Sequence, residues 1–191
     1  GPMACEKLCI VVAGSSSLLA ELAGFRLPVE SVALQALVSE PIKPIMDCVV
    51  MANTVHGYMS QSDKGEMVIG GGADGYNNYS QRGSFHHIEE TVRALIETFP
   101  IISRLRQLRQ WGGIVDMTGD RSPIISKTPV ENVFLNCGWG TGGFKAIPGS
   151  GWATAELVAC GEPGKLAAPF SLERFREGRM IDESVAAAVA H

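Results

Sequence analysis

The chain has 191 residues, a formal net charge of −4, and 46% hydrophobic against 19% charged residues. That is enough apolar material for a buried core, so a disordered chain is excluded. The acidic balance argues against nucleic acid as the main partner, because phosphate binding needs a basic face. No apolar run reaches membrane-spanning length and no basic-then-apolar leader opens the chain, so no membrane partner is expected. The five cysteines are scattered, and Cys5 and Cys9 lack a second pair to complete a zinc site. The expected setting is a reducing cytoplasm with no metal, and with Cys9, Cys48 and Cys137 as small core residues. Gly1-Pro2-Met3 reads as a protease scar ahead of a start methionine, which points to a piece of a longer protein.

In chain order, Leu8 to Ala13 is a short apolar run suited to a buried parallel strand. Gly14 turns the chain, Ser15 or Ser16 can cap a helix with Leu18, Leu19 and Leu22 on one face, and Gly24 suits its end. Ser31 to Ser39 alternates as a strand that Pro41 and Pro44 end. Cys48 to Met51 reads as another strand. Tyr58 to Gln61 and Glu66 to Ile69 flank Ser62-Asp63-Lys64-Gly65, a hairpin loop, and Gly70-Gly71-Gly72 breaks the pattern. After Ser84, the residues Phe85, Ile88, Val92, Leu95, Ile96 and Phe99 repeat at helical spacing, with Glu89 and Glu90 near the positive end of the dipole. Ile101, Ile102, Leu105 and Leu108 form a second short amphipathic segment. Gln110 to Thr118 reads as a strand interrupted by Gly112-Gly113, with Asp116 and Asp120 as turn acids. Trp152, Ala155, Leu157 and Val158 predict a helix ending at Gly161. Ser171 can cap a last short helix through Phe175, and the tail from Ala186 to His191 is expected to fray.

The densest signal is Gly138-Trp139-Gly140-Thr141-Gly142-Gly143-Phe144-Lys145, which follows a strand-like Val133-Phe134-Leu135-Asn136-Cys137. Without Cβ atoms a backbone can approach a flat ligand closely. A strand feeding a glycine loop that opens a helix aims N–H groups at negative charge, which suits a phosphate or a reduced cofactor ring. The stretch lacks the Gly-Lys-Ser/Thr ending of a phosphate loop and is not read as a full dinucleotide fingerprint with its downstream acid. A plain strand-to-helix turn remains open on the pattern alone. His86 and His87 are adjacent and diverge by about 100° on a helix, poor geometry for one metal.

Several longer stretches keep a recognisable order: Leu34-Gln35-Ala36-Leu37-Val38-Ser39-Glu40-Pro41, Trp111-Gly112-Gly113-Ile114-Val115-Asp116, Ser122-Pro123-Ile124-Ile125-Ser126-Lys127-Thr128-Pro129, the glycine loop with Phe144-Lys145, and Ala167-Ala168-Pro169-Phe170-Ser171-Leu172-Glu173-Arg174-Phe175. With these the chain resembles the β subunits of heterotetrameric sarcosine oxidases, and more broadly the D-amino acid oxidase-like flavoproteins. The resemblance implies an α+β fold. An antiparallel-sheet substrate domain with helices (28–118) would sit within a partial α/β FAD-binding domain (1–27 and 119–191). Such subunits begin with a strand–Gly-x-Gly-x-x-Gly–helix Rossmann unit that holds the FAD pyrophosphate; none is found in this sequence, so the chain is expected to be the C-terminal portion of such a subunit. It further implies oxidative demethylation of sarcosine, a small N-methyl amino acid, to glycine and formaldehyde, with FAD in the full-length protein and FMN in the full complex. Partners would be the other sarcosine oxidase subunits, or a second copy of this fragment.

The same resemblance carries residues over. Lys145 would face the substrate carboxylate beside the flavin, where spacing alone reads it as a solvated surface lysine. Gly138, Trp139, Gly140, Thr141, Gly142, Gly143 and Phe144 would lie along the flavin ring. Tyr58 would wall the substrate, the alternative being a half-buried sheet tyrosine, and His56 lies two residues earlier. Smaller amine oxidases carry a histidine near the position of Gly72, where this chain has only glycines. A different class of reading stays open: a non-catalytic interaction fragment that cannot bind FAD alone and docks through a bare sheet edge.

Overall fold

The computed structural model describes residues 1–52 and 57–181. Strands β1 (Leu8–Ile10), β2 (Val29–Pro41), β3 (Val50–Ala52), β4 (Gly57–Gln61) and β5 (Glu66–Ala73) are followed by β6 (Gln107–Thr118), β7 (Ile124–Lys127) and β8 (Val133–Cys137). The helices are α1 (Ser16–Leu22), α2 (Phe85–Thr98), α3 (Gly143–Cys160) and the single turn α4 (Glu173–Arg176). The chain divides into two compact units: Gly1–Ser31 together with the segment from Val115 onward, and Val32–Ile114.

In the first unit, β8 lies at the centre of a three-stranded sheet of order β1-β8-β7. It pairs parallel with β1, Leu8 opposite Val133, and antiparallel with β7, Ile124 opposite Cys137. Alternation along β8 sends its side chains to both faces. Leu135 and Cys137 join Ile10, Ala20, Phe25 and Ile124 on one, while Phe134 joins Ile125, Ala153, Leu157 and Ala167 on the other. Helix α1 therefore covers one face and α3 the other, which is how a parallel pair is kept dry. Helix α1 turns Ser16 and Ala20 inward, and the face bearing Leu18, Leu19 and Leu22 is exposed, Leu22 at 84%. Helix α3 begins at Gly143 and runs through Pro148, well ahead of the segment that the periodicity marks. Gly161, at φ +75°, ends it as expected.

In the second unit, the sheet order is β3-β4-β5-β2-β6. The β4–β5 hairpin turns where the sequence predicts, with Ser62 N–H donating to Glu66 O at 2.8 Å and Gly65 at φ +98°. Helix α2 lays Ile88 and Leu95 over Leu37, Met59, Met67 and Ile69, and the Ser84 hydroxyl accepts from His87 N–H at 3.4 Å. Phe85, counted in that apolar face from its spacing, is 78% exposed at the first position of the helix. Strand β5 does not break at Gly70-Gly71-Gly72; it stays paired, Tyr58 opposite Gly70 and Gly57 opposite Gly71. Gly112-Gly113 likewise lie inside an unbroken β6.

The reason for glycine at position 70 is a neighbour. A Cβ there would lie 2.4 Å from the Tyr58 hydroxyl oxygen and ring. Gly70→Ala is therefore expected to cost about 1–3 kcal/mol by overpacking. In the Tyr58→Ala background the same change should cost far less, a coupling that chemical denaturation of the four proteins would measure.

Cys137 is buried, and burial pushes its thiol up to about 12. Cys48 is exposed, not a core residue as its apolar neighbours suggest: it lies ahead of β3, whose own residues are at most partly buried. Among the described residues no helix is long and apolar enough to cross a membrane.

Candidate functional site

The glycine loop runs from the end of β8 to the start of α3. Gly138 at φ +76° and Gly140 at φ +51° adopt a backbone that favours glycine. Both are also pressed against β6: a Cβ on Gly138 would lie 2.7 Å from Thr118 Cγ2, and one on Gly140 2.8 Å from Met117 Sδ. Their N–H groups point inward. Gly138 N–H donates to the Asp116 carboxylate, Gly140 N–H donates to Asp116 O at 2.9 Å, and Gly142 N–H donates to Trp139 O at 3.0 Å.

Asp116 is thus not a turn acid. It lies within β6, 2% exposed, and it holds the loop. Burial pushes its carboxyl up, against the lowering effect of N–H groups from Gly138, from Asp116 itself, and from Gly140 and Trp139. The sequence carries a signal for it, a single acid inside the apolar run Ile114-Val115-Asp116-Met117, but turn chemistry took precedence over it. Gly138, Gly140 and Gly143 do fall at dinucleotide-fingerprint spacing. The amides that such a loop would offer to phosphate are instead satisfied internally, which disfavours a phosphate loop.

Trp139 is anchored by its side chain, its indole N–H donating to Asn136 Oδ1 at 2.6 Å while Asn136 donates to Thr154 Oγ1 at 2.8 Å. Asn136 also escaped the sequence reading, since a lone amide in a strand carries no pattern. Further along, the loop changes character. Gly142 has φ −89°, and a Cβ there would meet nothing nearer than Trp139 O at 3.5 Å, an ordinary contact. The fold does not require glycine at this position. Gly142 immediately precedes α3, whose first N–H groups have no intrahelical acceptors. Phe144, 90% exposed, and Lys145, exposed and without a partner among the described residues, stand on that first turn.

These differences predict distinct behaviour for two glycines in one loop. Gly138→Ala should destabilise the chain by about 2 kcal/mol or more, from left-handed strain and the Thr118 contact. Gly142→Ala should stay within about 1 kcal/mol of the parent. Urea unfolding of both variants checks the pair.

In the second unit, Tyr58 lies on β4 with its ring against Gly70, and burial pushes its phenol up. His56 lies outside the described residues. His87 Nε2 is 2.9 Å from the buried Asp74 carboxylate, which also accepts from Gln35 Nε2 at 3.0 Å and Asn78 Nδ2 at 2.5 Å. This network joins the start of α2 to β2 and β5. Its imidazole faces Gly72, where a Cβ would lie 3.5 Å from Nδ1. Among the described residues no group of three or more His, Cys, Asp or Glu side chains could hold a metal ion.

A parallel strand pair covered by helices on both faces, joined to a glycine loop, and an antiparallel sheet backed by a helix make an α+β protein. The chain belongs to the FAD dependent oxidoreductase (DAO) family, whose pattern it matches over residues 3–157. It is 77% identical over its whole length to sarcosine oxidase subunit beta of Rhodobacter capsulatus, covering 46% of that protein. It is 57% identical to sarcosine oxidase subunit beta of an Arthrobacter species, again over the whole chain and 47% of the relative. The chain therefore spans about half the length of the curated relatives it matches. Among solved structures, L-proline dehydrogenase from P. horikoshii superposes with a TM-score of 0.80 at 24% identity, covering 90% of this chain and 47% of the other, which shows the shared fold.

Proposed function

We propose that this chain is part of a flavin-dependent amine oxidoreductase that demethylates sarcosine oxidatively, giving glycine, formaldehyde and reduced flavin. The observation that carries the reading is the bare backbone at Gly142, a glycine the fold does not need, next to the open first turn of α3 and Lys145, which has no partner among the described residues. High identity to two sarcosine oxidase β subunits supports it.

The residues present fit the edge of a flavin ring. Gly142 and Gly143 leave the approach open, Thr141 and Phe144 flank it, and Trp139 and the inward-bonded Gly138 and Gly140 hold the loop in shape. FAD, when bound, supplies the two-electron acceptor for a hydride from the substrate's N-methyl group. The chain's own part is positioning and charge. Lys145 pairs its ammonium with the sarcosine carboxylate, a charge-assisted bond that fixes which carbon faces the cofactor. The N–H groups at the start of α3 favour negative charge that develops nearby. Tyr58 and His56 enter as substrate-binding residues on the family resemblance alone. The resulting imine then takes up water and splits into glycine and formaldehyde. FMN elsewhere in the complex and the remaining sarcosine oxidase subunits complete the electron path. The exposed thiols of Cys5, Cys48 and Cys160 suit a reducing cytoplasm.

The test is substitution of this chain for the matching segment of the Rhodobacter capsulatus subunit, expressed with its partner subunits. Formaldehyde release that depends on sarcosine is expected. A flavin-loaded complex that releases none would refute the reading.

A second reading, a docking module, has its own observation. Strand β1 is an edge strand, and Leu8, Val12, Leu19 and Leu22 line an apolar groove between it and α1. Edge strands beside apolar surface recruit partners. Light scattering that gives a mass rising with concentration would favour it, and a constant monomer mass would count against it.

A further inference from the structure

Among the described residues, one buried acid in the first unit forms no ion pair. Asp116 is 2% exposed, and the ion pairs among the described residues do not include it. Its partners are backbone. The carboxylate accepts from Gly138 N–H, and its own carbonyl accepts from Gly140 N–H at 2.9 Å. Two groups of one residue therefore hold alternate amides of the same loop. Gly138 and Gly140, both at positive φ, curl the intervening backbone around the carboxylate, making the kind of concave N–H nest that elsewhere receives an external anion. Here the anion is built in.

We propose that Asp116 is the positioning residue of the glycine loop: it fills the nest at Gly138–Gly140 and thereby sets the direction in which Gly142 and the first turn of α3, with Lys145, leave the loop. The importance of that direction rests on the flavin reading above; the anchoring does not. A carboxylate suits the task because bonds from N–H to a charged acceptor are stronger than neutral ones. Thr118 and Met117 of the same β6 segment lie close against Gly138 and Gly140, so β6 backs the loop where the carboxylate engages it. Burial favours the neutral acid, and the loop amides oppose it, so both act on one group.

The test is amide hydrogen exchange by NMR on the chain, comparing the parent with Asp116→Ala and Asp116→Asn. In Asp116→Ala, Gly138 and Trp139 amides are expected to exchange about tenfold faster or more, while Phe134 and Leu135 of β8 keep their protection. Asp116→Asn, which retains an acceptor oxygen, should restore much of the protection at Gly138. Unchanged exchange at Gly138 in Asp116→Ala would overturn the proposal. So would uniform acceleration across β7 and β8 in both variants, which would make Asp116 a support of the sheet instead. Flavin uptake by the chimera of this chain with the Rhodobacter capsulatus subunit is measured separately: a colourless chimera ends the flavin reading without touching the exchange result.

Discussion

Replacing Arg174 with Met is expected to cost about 3–5 kcal/mol of unfolding free energy, the usual penalty for leaving one partner of a buried ion pair uncompensated. Arg174 is 2% exposed on α4, a helix of only four residues. Such a helix has no stability of its own. Its guanidinium grips Asp120 with both arms, Nε to Oδ2 at 2.7 Å and Nη2 to Oδ1 at 2.9 Å, and reaches Ser122 O at 2.8 Å. The pair ties the C-terminal segment to the turn between β6 and β7. Burial alone would raise the Asp120 carboxyl, but the Arg174 bonds, with N–H groups of Ile181 and Ser122, prevail and hold it at about 2. Because the folded value lies below the unfolded one, this group's contribution is complete above about pH 4 and is lost as pH falls toward about 2. The parent should therefore lose about 2 kcal/mol across that window from this group, and Arg174→Met should lose little of it there. Urea unfolding at several pH values measures both. A variant of parental stability with the same acid profile would show that the pair does not hold the segment.

Lys145→Met is expected to leave the fold intact and to damage the chemistry. Lys145 is exposed and without a partner among the described residues, so its loss removes no contact that the fold uses. A charge-assisted bond to a substrate carboxylate is worth about 1.5–3 kcal/mol, which predicts a fall of about 10–150-fold in kcat/KM for sarcosine in the complex carrying this chain. The sarcosine KM should rise and anaerobic flavin reduction should slow. Lys145→Arg should recover part of the loss, limited by the different reach and shape of guanidinium. An unchanged reductive half-reaction in Lys145→Met would remove this residue from the substrate site.

Much of the architecture was legible because the hydrophobic period is strong where elements are buried. Val133–Cys137 reads as a strand from its composition and is one, and the face of α2 carrying Ile88, Val92, Leu95 and Ile96 follows from helical spacing.

 Leu95 itself is fully buried at the centre of that face. What escaped the sequence were positions decided by a distant neighbour. Glycines at 70–72 look like a break until Tyr58 is seen lying on Gly70, and Asp116 looks like a turn acid until the loop's amides are seen converging on it. The start of α3 was hidden because glycine and proline are poor helix formers in isolation, so Gly143 to Gly151 gave no helical signal. At the candidate site, the glycine loop stood out by composition and Lys145 only through the family resemblance, whereas the distinction between the inward-bonded Gly138 and Gly140 and the unconstrained Gly142 needed backbone angles and contacts.

The measurement that tests the central claim most directly is the visible spectrum of the chimera of this chain with the Rhodobacter capsulatus subunit, recorded anaerobically before and after sarcosine is added. The account predicts oxidised-flavin bands that bleach with sarcosine and bleach far more slowly in Lys145→Met. A chimera that holds flavin but keeps its bands when sarcosine is added would contradict it.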